Sequence, residues 1–132
     1  MKLLLDTHIW IWQAISPEKL KRRVAAAIEN EDNELWLSPI SLWELSVLVK
    51  KGRVEINGAF DAWVSKALTQ PMFREAPLTN DVAMEVSRLR FSHRDPADHF
   101  IAASARVFGL TLVTSDQRLV ALKKQGLIIL SN

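Results

Sequence analysis

Four short, nearly unbroken apolar runs constrain the fold of this chain more than any other feature: Leu3-Leu4-Leu5, Leu35-Trp36-Leu37, Leu110-Thr111-Leu112-Val113 and Leu127-Ile128-Ile129-Leu130. A strand with one wet face alternates polar and apolar residues. A run without that alternation is covered on both faces, as in a parallel sheet. The last two runs follow Gly109 and Gly126, and helical stretches fill the intervals. Pro17 to Asn30 carries Leu20, Val24, Ala25 and Ile28 at helical spacing, with Ser16-Pro17 as its start signal. Ser38-Pro39 opens a second helix that runs to about Lys51, with Gly52 just past its end. Asn57 to Leu68 and Asn80 to Arg90 form two more, and Asp95-Pro96 opens a fifth that ends before Gly109. Short strands alternating with helices predict an α/β domain on a mainly parallel sheet.

The 132 residues suit a single domain. No repeat, low-complexity tract or Gly/Ser linker divides them, so one domain over residues 1–132 is expected. Apolar residues at 48% and charged ones at 24% exclude intrinsic disorder. The absence of cysteine excludes disulfide scaffolds, zinc ribbons, iron–sulfur clusters and thiol nucleophiles, and fits a reducing cytosol. With 17 basic and 15 acidic residues, the charge of +2 is too balanced to argue by itself for nucleic acid. No apolar run approaches the ~20 residues that span a bilayer, so no membrane role is expected. Asp6 and His8 come too early for a secretory signal, and a cytoplasmic protein is expected.

Ligands bind outside the carboxyl ends of strands in open parallel sheets. Asp6 ends the first strand, Asp116 follows the third through Thr114-Ser115, and Asp98 sits in the first turn of the helix opened by Pro96. Glu44 lies near the end of the second turn of the helix opened by Pro39. One fold can bring these four distant acids to one sheet edge. Carboxylates sharing a pocket repel one another and are costly to desolvate. No matching run of arginines accompanies them. A divalent cation is the simplest compensation, and oxygen ligands select Mg²⁺ or Mn²⁺. Such an ion leaves positions for a phosphate oxygen and a water, which implies hydrolysis of a phosphodiester.

Each acid also has a plain structural reading. Asp95 before Pro96 is a good N-cap, and Asp98 three residues later matches the return leg of a capping box. Asp116 could cap a helix around Arg118 to Leu122, and Asp6 could begin a turn. Glu44 sits in Ile40 to Val49, apolar on most of its circumference, so that helix is expected to be largely buried. A buried glutamate needs a partner, either an arginine or lysine from elsewhere or a metal.

The segments Leu4-Leu5-Asp6-Thr7-His8-Ile9-Trp10, Ser38-Pro39-Ile40-Ser41-Leu42-Trp43-Glu44, His93-Arg94-Asp95-Pro96-Ala97-Asp98-His99-Phe100-Ile101-Ala102-Ala103 and Leu112-Val113-Thr114-Ser115-Asp116 together resemble the PIN domain, in the VapC-type toxins of type II toxin–antitoxin systems. Any one of these motifs is weak, but four in order over essentially the whole chain are specific. The resemblance implies a three-layer α/β/α sandwich with a mainly parallel central sheet, and an acidic pocket for magnesium or manganese. It also implies cleavage of RNA, a cognate antitoxin encoded beside the toxin, and a homodimer. By position, the four family acids are Asp6, Glu44, Asp98 and Asp116. Asp95 matches a frequent position in the same subgroup and is kept as a helix cap. His99 stands where relatives often carry arginine, which removes an expected basic contact near the scissile phosphate.

In this reading Asp6 and Asp98 hold the main ion, and Glu44 and Asp116 complete the pocket as metal-binding and catalytic acids. Thr7, Thr114 and Ser115 either orient carboxylates or serve as turn and cap hydroxyls. His8, His93 and His99 make a poor zinc set without cysteine or an i, i+4 pair, and His93 and His99 are candidates for phosphate contact. Trp10 and Trp12 are candidates for a dimer or antitoxin surface. The clusters Lys19-Lys21-Arg22-Arg23 and Lys50-Lys51-Arg53 are either solvated faces or a path for RNA. The competing functions are an RNA-processing PIN nuclease without a toxin role and a catalytically silent PIN-like binding module. An aspartyl-nucleophile phosphatase ranks low, because Asp6-Thr7-His8 lacks the second aspartate two positions on.

Overall fold

The computed structural model describes residues 1–132. Five strands, β1 (Lys2–Leu5), β2 (Glu34–Leu37), β3 (Phe73–Glu75), β4 (Thr111–Thr114) and β5 (Ile129–Ser131), form one sheet in the order β3-β2-β1-β4-β5. Every pairing is parallel. The unalternating run of β1 has the expected cause. Leu3 and Leu5 face one apolar core and Leu4 faces the other, and all three are fully buried.

Seven helices complete the three layers. The first core packs side chains of α1 (Thr7–Ile15), α2 (Arg22–Glu29), α3 (Pro39–Lys50) and α4 (Phe60–Thr69) against the sheet. The second packs α5 (Asn80–Arg88), α6 (Pro96–Val107) and the short α7 (Gln117–Val120) against its opposite face. Within α6, Ile101, Ala102, Ala103 and Ala105 are buried, and the small alanine side chains allow close helix packing. No helix is long and apolar enough to cross a membrane.

Several elements depart from the sequence reading. The stretch after Asp6 is the helix α1, whose apolar Ile9, Trp10 and Ile11 are buried. Trp10 is therefore core and not a docking surface, while Trp12 is half-buried. Ser16 serves as the C-cap of α1, donating its N–H to Trp12 O, so the expected helix from Pro17 splits into a 3₁₀ turn (Pro17–Lys19) and α2. The edge strand β3 is new. The third and fourth apolar runs form strands shifted towards the C-terminus, Thr111–Thr114 and Ile129–Ser131. α3 begins at the expected Ser38 cap, which accepts from Ile40 N–H. It is less buried than expected: only Ser41 and Leu45 are buried, and Trp43 is 59% exposed.

Candidate active site

The strand order explains where a site can form. From β1 the chain winds outward through β2 to β3, then crosses back to lay β4 on the other side of β1. The carboxyl ends of β1 and β4 thus flank the switch point, where helices diverge and leave a crevice. Asp6 follows β1 directly, Ser115 and Asp116 follow β4, and α3 departs from the end of β2. A cleft of about 360 Å³ lies there, lined by Asp6, Glu44, Asp95, Asp98 and Asp116 together with His8, Trp12, Ser115 and Arg118. All four acids expected to gather do so, and Asp95 joins them.

Local structure holds each carboxylate. Asp6 is the N-cap of α1: one oxygen accepts from Thr7 N–H at 2.8 Å, and the other accepts from the buried Thr114 hydroxyl at 2.7 Å. Thr114 Oγ1 also accepts from Asp116 N–H at 3.0 Å, tying the two strand ends together. The Thr7 hydroxyl donates to Glu44 Oε1 and lies 2.8 Å from Ser41 Oγ. A hydroxyl has one hydrogen, so Ser41 donates to Thr7. Glu44 thus finds a threonine, and neither lysine nor arginine meets it. Thr7 and Thr114 orient carboxylates, whereas Ser115 only lines the cleft.

On α6, Asp95 caps the helix through Ala97 N–H at 3.1 Å, as read from the sequence, and lines the cleft as well. Asp98 does not close the capping box. Its Oδ2 meets His93 Nε2 at 2.9 Å, and both side chains are about nine-tenths buried. Asp116 caps α7 through Arg118 N–H, and the Arg118 guanidinium takes both its oxygens, at 3.1 and 2.8 Å.

These surroundings set the charge states. Burial pushes the Asp6 carboxyl up to about 6, helped by the nearby Asp98 and opposed by the hydrogen bonds from Thr114 and Thr7. Burial also raises Glu44, against the Thr7 bond, and raises Asp98, against the His93 bond. Asp116 moves the other way, because Arg118 holds it ionised. The uncompensated charge is therefore concentrated on Asp6, Glu44 and Asp98, which no lysine or arginine pairs.

The residues fit a hard divalent cation. Five carboxylates face one guanidinium, and oxygen donors of this kind suit Mg²⁺ or Mn²⁺. One nitrogen was not foreseen: donor atoms of His93, Asp98 and Asp116 lie within 4.8 Å of one another. His93 carried no sequence signal for this beyond its place five residues before Asp98. His99, in contrast, is turned from the cleft, its ring stacked on Phe91 and its Nε2 on His93 O at 2.8 Å.

Comparisons with known proteins agree with this architecture. The sequence profile of the PIN domain matches residues 3–125. Ribonuclease VapC22 of Mycobacterium tuberculosis is 34% identical over 118 residues, which cover 89% of this chain and 88% of the relative. Among solved structures, VapBC2 from Rickettsia felis, bound to a DNA fragment from their promoter, matches with a TM-score of 0.72 at 20% identity, over 99% of this chain and 98% of that one. FitAcB from Neisseria gonorrhoeae matches with a TM-score of 0.67 at 26% identity, over 98% of this chain and 96% of that one.

Proposed function

Because this chain belongs to the PIN domain family, we propose that it is a divalent-metal-dependent endoribonuclease, a single nuclease domain over residues 1–132, and the toxin of a type II toxin–antitoxin pair. One observation carries the chemistry: buried Asp6, Asp98 and half-buried Glu44 converge on one cleft without a lysine or arginine among their partners. The ribonuclease relative supplies the substrate class, and the VapBC neighbours supply the antitoxin.

In this reading Asp6 and Asp98 hold the main ion and Glu44 and Asp116 complete its site, with Asp95 at the rim. Bound there, Mg²⁺ or Mn²⁺ would offset charge on the phosphoryl oxygens and acidify water. The chain does the rest. Thr7 and Thr114 fix the carboxylates of Glu44 and Asp6, so that neither reorients during reaction. Glu44 Oε1 is held by Thr7, which leaves Oε2 to accept the proton of the attacking water. An adjoining hollow shares His8 and Trp12 with the acidic cleft, and its Lys19 and Arg53, set against the single acid Glu55, give the RNA backbone a basic approach. Action in the cytoplasm is part of the same proposal. A homodimer belongs to the same proposal, and exposed Trp43 on α3 is the first residue to mutate in a sedimentation test of it.

Expression of the chain alone and with its genomic neighbour tests the proposal. Wild type alone should arrest growth and leave RNA fragments, and co-expression of the neighbour or Asp6→Asn should abolish both effects. Arrest with intact RNA, or fragments undiminished in Asp6→Asn, would overturn it.

A further inference from the structure

We propose that Arg118 and the divalent ion compete for the same two oxygens of Asp116, and that the displaced guanidinium becomes the phosphate-binding group of the cleft. The inference rests on the reading of the cleft as a metal-dependent ribonuclease site.

Arg118 is the one permanent cation among the residues lining the cleft. Neither basic cluster read from the sequence, Lys19 to Arg23 or Lys50 to Arg53, contributes a lining residue. The residue at the position of the expected basic contact, His99, faces Phe91 and the His93 carbonyl. If RNA is to meet a fixed positive charge beside the acids, Arg118 provides it.

Its present partner is easily exchanged. The fork from Nε and Nη2 occupies Asp116 Oδ1 and Oδ2, the only side-chain atoms through which Asp116 would hold an ion. The Arg118 side chain is 53% exposed, and ion pairs that wet are weak. Asp116 keeps its structural task without the guanidinium, because its bond to Arg118 N–H caps α7 through the backbone. A guanidinium fork matches two phosphate oxygens as well as two carboxylate oxygens, so the released group meets an equivalent partner on the RNA. The exchange also couples the ligands: an ion on Asp116 frees a phosphate binder, and by reciprocity RNA favours the ion.

Two titrations on the full chain test this. Mn²⁺ is titrated calorimetrically into wild type, Arg118→Ala and Arg118→Lys. A short fluorescein-labelled RNA of mixed sequence is bound in Ca²⁺ and followed by anisotropy, with its integrity checked on a gel. Competition requires opposite signs, which a merely structural arginine would not give. Arg118→Ala should bind Mn²⁺ about 2- to 5-fold more tightly, the span of an exposed ion pair. It should bind RNA more weakly, with a slope of log Kd against log salt shallower by about 0.7. Arg118→Lys keeps the charge and loses the fork, so its RNA affinity should fall between the two. RNA affinity that does not drop in Arg118→Ala, or Mn²⁺ affinity that does not rise, overturns the exchange and leaves the ribonuclease reading standing wherever wild type binds both ligands. Wild type that binds neither ligand removes that reading and this inference with it.

Discussion

Asp6 carries two tasks at one position, capping α1 and presenting charge to the cleft. The first is compatible with asparagine, which caps as well as aspartate. The second is not. A carboxyl raised from 3.8 to about 6 binds its proton more tightly in the folded chain than in the unfolded one. Its contribution to stability is therefore fully present below about pH 4 and lost as pH rises through 6, by up to about 3 kcal/mol for a shift of this size. Without added metal, Asp6→Asn should be more stable than wild type at pH 7.5 by about 1–3 kcal/mol, with the gain vanishing near pH 4. Urea melts across that pH range would measure it, and equal stability at both ends would contradict the assignment of uncompensated charge to Asp6. Asp6, Asp98 and Asp116 were legible in the sequence because each stands where a strand ends or a helix opens, and Glu44 because it interrupts an otherwise apolar helix. The partners were less so: nothing in Thr7, Thr114 or His93 as residue types distinguishes a carboxylate clamp from a turn hydroxyl or a core imidazole.

At the scale of elements, α3 and α6 were readable and α1 was not, for a physical reason. Ser38-Pro39 and Asp95-Pro96 pair a cap with a proline at the first helical position, and both caps are made in the fold. The segment Thr7–Ile15 instead mixes β-branched and tryptophan residues with modest helix propensity. It is helical because Asp6 caps it and because Ile9 and Trp10 are fully buried against the sheet, a tertiary cause that no local window contains. α3 departs in the other direction: its apolar circumference is only partly covered, with Leu45 as its fully buried anchor. Since Leu45 follows Glu44, the anchor also fixes the site. Leu45→Ala should cost about 2–5 kcal/mol, and Ser38→Ala about 1 kcal/mol, both by urea denaturation. A Leu45→Ala loss under 1 kcal/mol would show that α3 is held by something other than this contact.

For the whole molecule, the decisive property is the strand order. Parallel β1 and β4 side at the switch point bring Asp6 within reach of residues more than ninety positions away. Parallel pairing could be read from the unalternating apolar runs, but neighbour order could not, because long-range pairing leaves no local pattern. The edge strand β3 escaped for a simpler cause: three residues, two of them charged, give no strand signal. The consequence of this assembly is a cleft whose acids repel until an ion enters, so metal should stabilise the whole fold. At an ion concentration about a hundredfold above Kd, the gain is about 2.7 kcal/mol, visible as a rise in Tm that EDTA reverses.

Calorimetric titration of Mn²⁺ at pH 7.5 into wild type, Asp6→Asn and Asp98→Asn tests the central claim most directly. Saturable binding to wild type that weakens at least tenfold in each variant is the predicted result. Wild type that takes up no Mn²⁺, or variants that bind it as tightly as wild type does, would contradict the account.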